Sequence, residues 1–278
     1  MDLGNDKLFS TSRQMKTDFI KSAKLPRAAH AGGFTLLELL VVLGVIAVLI
    51  AVQLPALAGA KSQSKIAMCA SHVRQLALVC QIYANESGDR LPGLSGSSYW
   101  PWDLPASTAN ALLNWGAQTN TFYCPGTAPK FTDYENWSGP GSTLWNYGAG
   151  AGYHIVGYSL AFYGQASRLN PTNQNTTIQP EAIHDFPSTG TSTTYRASER
   201  VLVADAILSA GNALPGYTHP ENNYTDIAGG FYMHHVSPHL KGALPMGGNL
   251  GFKDGHVDWR SFQMMVPRTD NNMPYFWW

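Results

Sequence analysis

Residues 34–60 read FTLLELLVVLGVIAVLIAVQLPALAGA, 27 residues from Phe34 to Ala60 that carry one charge, Glu38. About 20 consecutive apolar residues suffice for a helix to cross a bilayer, so this stretch predicts a transmembrane helix. A cleaved secretory signal has a shorter apolar core ending at a small-residue cleavage site, whereas this one runs directly into helical sequence. An ordinary signal anchor explains the hydrophobicity equally well but leaves Glu38 unexplained. A carboxylate in a membrane helix costs on the order of 2.5–3.5 kcal/mol at the centre of the span and less near the interface. An acid kept there points to a function.

Working outward, residues 1–33 hold six bases (Lys7, Arg13, Lys16, Lys21, Lys24, Arg27) against three acids (Asp2, Asp6, Asp18), net +3, and the rest of the chain is net −3. The first bases beyond the apolar stretch are Lys61 and Lys65. By the positive-inside tendency the N-terminus stays cytoplasmic and the bulk of the chain is exported after a single pass. Over all 278 residues there are 18 basic and 18 acidic side chains, with 44% hydrophobic and 13% charged residues. That balance excludes a polybasic nucleic-acid binder. Eight Trp, thirteen Tyr and eleven Phe argue against disorder, because they supply ample apolar area for a core.

The string Gly33-Phe34-Thr35-Leu36-Leu37-Glu38, behind a basic leader and ahead of an apolar helix, resembles the processing motif of type IV pilins and type II secretion pseudopilins. The resemblance implies a leader at 1–33, cleavage between Gly33 and Phe34 by a prepilin peptidase, and N-methylation of the new amine on Phe34. It also implies residence in the inner membrane and assembly, through Glu38, with other pilins or pseudopilins on an inner-membrane platform. The family's helix-bending proline has a counterpart in Pro55. The chemistry is coherent by itself. An amine freed at Phe34 lies one turn from Glu38 near the same helix face. It can pair with that carboxylate or with a neighbouring subunit's, which sets axial register in a bundle. Pro55 removes one backbone donor and predicts a bend or loosening near Gln53–Leu54. A leader of 33 residues is long for a pilin, and a start at Met15 would shorten it to 19.

Ala58 to Glu86 continues as helix. Ile66, Cys69, Val73, Leu76, Cys80 and Tyr83 recur at spacings of 3, 4, 3, 4 and 3, the seam of an amphipathic helix packed on one surface. Lys61, Gln63, Lys65, Ser71, Arg74, Gln75 and Gln81 occupy the opposite face. A free coiled coil is the weaker reading with only about three heptads. Asn85 to Asp89 supplies the stop, so the exported half of the helix is placed at 61–87. The stretch Cys69 to Pro92, CASHVRQLALVCQIYANESGDRLP, is similar to a second pattern, the Cys-x-x-Asn-x-Arg-Gln-Leu-x-x-Ala of pilin-like proteins in environmental bacteria, with His72 at the Asn position.

Residues 88–278 are rich in Gly, Pro, Asn, Ser and aromatics, which reads as a loop-rich exported β domain rather than repeated βαβ units. Strands are expected at His154–Tyr163, Arg200–Leu208, Asn249–Lys253 and His256–Phe262, with Leu91–Gly152 and Asn170–Ser198 dominated by loops. Asp254-Gly255 between alternating sequences predicts a two-residue hairpin turn. That register sets Phe252 beside Val257 and Leu250 beside Trp259 on a core face, with Lys253, His256, Asp258 and Arg260 on a polar one. His239-Leu-Lys-Gly followed by Gly247-Gly-Asn-Leu-Gly-Phe-Lys-Asp254-Gly255-His256-Val resembles the ending of pilin-like proteins abundant in planctomycetes and verrucomicrobia. The expected fold is α+β and pilin-like: a long N-terminal helix, membrane-spanning in its first half, packed on a small antiparallel sheet with long loops.

Cys69 and Cys80 lie eleven residues apart, about 16 Å along one helix at 1.5 Å per residue, and cannot pair with each other. Cys124 can reach only one of them. The resemblance places a cysteine at both 69 and 124 and so implies a Cys69–Cys124 disulfide, which an exported chain permits; the alternative is three small buried hydrophobes. His234, His235, His239 and His256, with Asp205, Asp254 and Asp258, suit zinc or a related ion by donor type but match no closed-site spacing. A hydrogen-bond network holding the loop His234–Gly248 onto the hairpin is preferred, and no metal or cofactor is assigned. Some major pseudopilins bind calcium in their C-terminal loops; here the oxygen ligands are too dispersed to nominate a set.

No nucleophile elbow, P-loop or dinucleotide fingerprint occurs, and Asp133/Glu135 read as solvated surface. The aromatics of Tyr99-Trp-Pro-Trp102 and Pro274-Tyr-Phe-Trp-Trp278 suit packing within the domain, or contact with sugars or a neighbouring subunit. The expected function is a non-enzymatic pilin-like or pseudopilin subunit that contacts membrane lipid before assembly. A membrane-tethered carbohydrate-binding or hydrolytic domain, using the prepilin signal only for sorting, is the alternative.

Overall fold

The computed structural model describes residues 33–94, 100–128, 130–131, 152–184, 192–211, 222–227, 235–269 and 273–278, and the structural statements below concern these. The leader before Gly33, with Met15, and Tyr99, Asp133, Glu135 and His234 lie outside the described residues. The chain divides into two compact units, Met1–Val52 and Gln53–Trp278. Helix α1 (Leu36–Glu86) begins in the first, is long and apolar enough to cross a membrane, and remains helical through Pro55. Residues 33–60 are all exposed.

Within the second unit α1 becomes one-sided. Cys69, Val73, Leu76, Ala77, Val79, Cys80 and Ala84 are buried, while Ile66 and Tyr83 of the expected seam are only half-buried. The short strands are β1 (Asp103–Pro105), β2 (Tyr153–Ile155), β3 (Tyr158–Leu160), β4 (Glu181–His184), β5 (Ser192–Tyr195), β6 (Val201–Asp205) and β7 (Ile207–Ser209). They continue with β8 (Leu240–Lys241), β9 (Leu244–Pro245), β10 (Gly247–Phe252), β11 (Val257–Ser261) and β12 (Tyr275–Trp277). Four make a central antiparallel sheet in the order β11-β10-β6-β3, which with α1 gives the α+β pilin-like fold. The other strands form two-stranded ribbons, β1 with β2, β12 with β7, β4 with β5 and β8 with β9.

The helix lies against β10, which is buried along its whole length. Asn249 Nδ2 donates to the Ile66 carbonyl at 3.3 Å. A Cβ added to Gly251 would stand 2.7 Å from Val73 Cγ1, so the absence of a side chain there sets how closely the helix approaches. Leu250, on the alternate face of the strand, belongs to the main core.

The β10–β11 hairpin is one residue out of the expected register. Gly251 pairs with Val257, Leu250 with Asp258 and Asn249 with Trp259. The connection is three residues long: Phe252 N–H donates to the His256 carbonyl at 3.0 Å and Gly255 N–H to that of Phe252 at 2.9 Å. Gly255, at φ +88°, is the left-handed residue that closes such a loop. A slip of one residue exchanges faces, and the polar face expected here is altered accordingly. Lys253 is buried, donating from Nζ to the Gln179 carbonyl at 3.2 Å. Gln81, expected to meet solvent, donates to the Lys253 carbonyl at 2.8 Å.

Other expectations change too. His154–Tyr163 is not one strand but β2 and β3 in separate sheets, and Arg200–Leu208 is divided at Ala206 into β6 and β7. The supposed loop region Leu91–Gly152 holds β1 and a helix, α2 (Ala106–Asn114), while Asn170–Ser198 holds the β4–β5 hairpin. Among the described residues, most of the two aromatic clusters faces inward, with Trp100 half-buried. Trp102, Tyr275, Phe276, Trp277 and Trp278 are buried, with Trp102 stacked on His235 at 4.0 Å and edge-on to Phe276 at 5.0 Å. Those rings are therefore withdrawn from sugars and neighbouring subunits.

Candidate functional site

The first turn of α1 is closed by two side chains. Thr35 Oγ1 accepts the Glu38 N–H at 3.2 Å, and Glu38 Oε2 accepts both the Thr35 N–H and the Thr35 hydroxyl at 2.9 Å. This is a reciprocal capping box, in which orphan donors at the start of a helix are satisfied by a Thr and by the Glu three residues later. Thr-x-x-Glu ahead of an apolar run is its sequence signature. Reading Glu38 for assembly alone overlooks that role. Phe34, immediately before the box, is exposed.

A second convergence lies inside the second unit, where four segments meet. Cys69 comes from α1, Cys124 from the short turns after α2, Asp205 from the end of β6, and His239 from the loop before β8. All four are buried. Cys69 Sγ lies 2.6 Å from Cys124 Sγ and 2.7 Å from Asp205 Oδ1. His239 Nε2 lies 3.2 Å from Asp205 Oδ2 and 3.5 Å from Cys124 Sγ. One donor atom from each residue falls within 4.8 Å of the others, a set able to hold a metal ion.

Further groups orient these four. Asp205 Oδ2 accepts the Asn249 backbone N–H at 2.6 Å and its side-chain amide at 3.0 Å. The Tyr158 hydroxyl is 3.2 Å from Cys69 Sγ, and the Gly126 N–H donates to Cys124 Sγ at 3.3 Å. His239 adopts φ +56°, a left-handed conformation uncommon for a side chain of its size. Its ring packs edge-on to Trp259 at 5.5 Å. Burial, then Cys124 and Asp205, push the Cys69 thiol well up. Burial disfavours a charged His239, but hydrogen bonds with Asp205 and Cys124 outweigh it and push the imidazole up to about 10. Cys80 sits apart in the apolar seam, its thiol pushed up to about 12 by burial.

The histidines and acids expected as one group occupy different places. His239 and Asp205 join the cysteines. His256, Asp254 and Asp258 gather at the β10–β11 turn, where the His256 ring stacks on Phe252 at 4.1 Å and Asp254 Oδ1 accepts the His256 N–H at 3.2 Å. His235 packs on Trp102 instead. The His239–Asp205–Asn249 hydrogen bonds and the His239–Trp259 contact join loop to hairpin, and His256 takes no part in them.

Residues 29–52 match the prokaryotic N-terminal methylation motif. No curated protein and no solved structure matches the chain. The methylation motif takes in Gly33, Phe34 and Glu38 and ends before Pro55. It gives the chain a type IV pilin-like signal, of the kind that prepilin peptidases process, and with the apolar part of α1 it points to membrane anchoring. The buried Cys69–Cys124–Asp205–His239 cluster lies outside it.

Proposed function

We propose that this chain is a pilin-like or pseudopilin subunit, cut between Gly33 and Phe34 by a prepilin peptidase, methylated at Phe34, and assembled through α1 into a type IV pilus or type II secretion pseudopilus. One observation carries the reading: from Leu36 to Val52 the methylation motif is a helical stretch, all of it exposed, whose sole charge is Glu38. The resemblance of the His239 to Val257 segment to the ending of other pilin-like proteins supports it from the far end of the chain.

In this reading the N-terminus stays cytoplasmic, the second unit is outside the inner membrane, and lipid first covers residues 34–60. During assembly on the inner-membrane platform the helices exchange lipid for one another. The Phe34 amine then meets Glu38 of its own or a neighbouring subunit. A carboxylate left unmatched in hydrocarbon costs on the order of 2.5–3.5 kcal/mol at the centre of a span and less towards its end, where Glu38 lies, so correct register is favoured over incorrect by at most roughly a hundredfold per subunit. The role is structural rather than catalytic.

Glu38→Ala, expressed beside an active prepilin peptidase and the assembly platform, is expected to keep a mature N-terminus at methylated Phe34 by mass spectrometry while losing incorporation into filaments. Normal incorporation of the variant, or recovery of wild-type precursor uncut at Gly33, would overturn the proposal.

A further inference from the structure

We propose that Cys69, Cys124, Asp205 and His239 form a closed four-ligand site for zinc(II), or a divalent cation of similar size and softness, that fastens α1 to the sheet and to two loops. This goes beyond the assembly role and stands independently of it. The donor set is two sulfurs, one imidazole nitrogen and one carboxylate oxygen, all buried and brought together from four segments. Two thiolates and an imidazole favour zinc over calcium or magnesium, which prefer all-oxygen shells. Four protein ligands leave no open position, which marks a structural rather than a catalytic centre.

The surroundings suit a metal. Zinc bonds of 2.0–2.3 Å in a tetrahedron separate the ligand atoms by roughly 3.3–3.8 Å. The sulfurs therefore spread from their 2.6 Å separation to admit the ion. The supporting shell is in place: Asn249 fixes the Asp205 carboxylate through two hydrogen bonds, while the Gly126 N–H and the Tyr158 hydroxyl lie against the two sulfurs. Such partners orient ligands and raise affinity. A cleft of about 290 Å³ lined by Lys61, Lys65, Gly126, Ser237 and His239 gives an approach.

The competing arrangement is the Cys69–Cys124 disulfide, formed by loss of two thiol protons and two electrons to an oxidant. It serves Asp205 less well. Oδ1 lies 2.7 Å from Cys69 Sγ, and once the sulfurs are bonded to each other that contact has no proton to share. A buried acceptor left unsatisfied costs about 1–3 kcal/mol, more when charged. Metal binding removes the problem: the thiols, and His239 if protonated, release protons to solvent as the metal–sulfur and metal–nitrogen bonds form, and the carboxylate becomes a ligand.

The test uses the full-length chain, extracted from membranes in detergent with an alkylating agent present for one aliquot and without oxygen for the rest. Three alkylated thiols after denaturation, about one zinc per chain, and sulfur-to-cobalt charge-transfer bands after exchange with cobalt(II) are expected. Cys124→Ser and His239→Ala should lower metal content at least about tenfold, Asn249→Ala should weaken affinity about 10–100-fold, and Cys80→Ser should change neither. Should the ligand variants fail to fold, the wild-type measurements decide alone. A Cys69–Cys124 cross-link in the alkylated aliquot would overturn the proposal, as would three free thiols in a chain that takes up neither zinc nor cobalt.

Discussion

Two stretches of one helix, Leu36 to Val52 and Cys69 to Ala84, are built from similar apolar residues and meet opposite fates. The first, Glu38 apart, is apolar on every side and exposed throughout. In the second, Leu78 is exposed while Leu76, two positions away, is buried. Hydrophobic content alone does not decide burial; its distribution around the helix does. A helix greasy all round needs a solvent of lipid or other helices, whereas a single stripe needs one surface. In this chain β10 supplies that surface, and it can do so because Gly251 leaves room for Val73.

The contrast can be broken by substitution. Leu76→Ala removes a side chain that is 1% exposed and is expected to destabilise the second unit by about 2–5 kcal/mol in denaturant unfolding of the detergent-solubilised chain. A loss below about 1 kcal/mol would mean that the stripe is not seated as described. Gly251→Ala should follow, at about 1–3 kcal/mol, because the new methyl meets β-branched Val73, which has little rotamer freedom to yield. Unchanged stability would show that the helix can stand off from β10. The smallest effect is expected for Leu49→Ala, 55% exposed, which should leave the same unfolding transition within about 0.5 kcal/mol. A shift as large as that of Leu76→Ala would abolish the distinction between the two stretches.

The helix was legible because its periodicity is strong and long, and its end at Asn85–Asp89 has a local chemical cause. A seam read from large side chains passes over alanine and so leaves out Ala77 and Ala84, which are buried. Asp254-Gly255 correctly marks a hairpin, yet a Gly at positive φ closes three-residue as well as two-residue loops. The dipeptide therefore fixes the turn but not its length, and the faces depend on length. Helix α2 has no side-chain cap and owes its place to the burial of Ala109 and Leu112, a tertiary effect. The buried cluster was hidden for a related reason. Cys69 is 55 residues from Cys124 and 136 from Asp205, far beyond spacings that local metal motifs display. The sequence offers His239 and Asp205 as candidate ligands, but beside His256, from which folding separates them.

The Thr35–Glu38 cap also bears on timing. Its bonds involve only residues 35 and 38, so scission at Gly33 would leave every one of them intact. On the proposed reading the rod is already wound when a protease meets it, and maturation would trim a finished thread end without having to respool it.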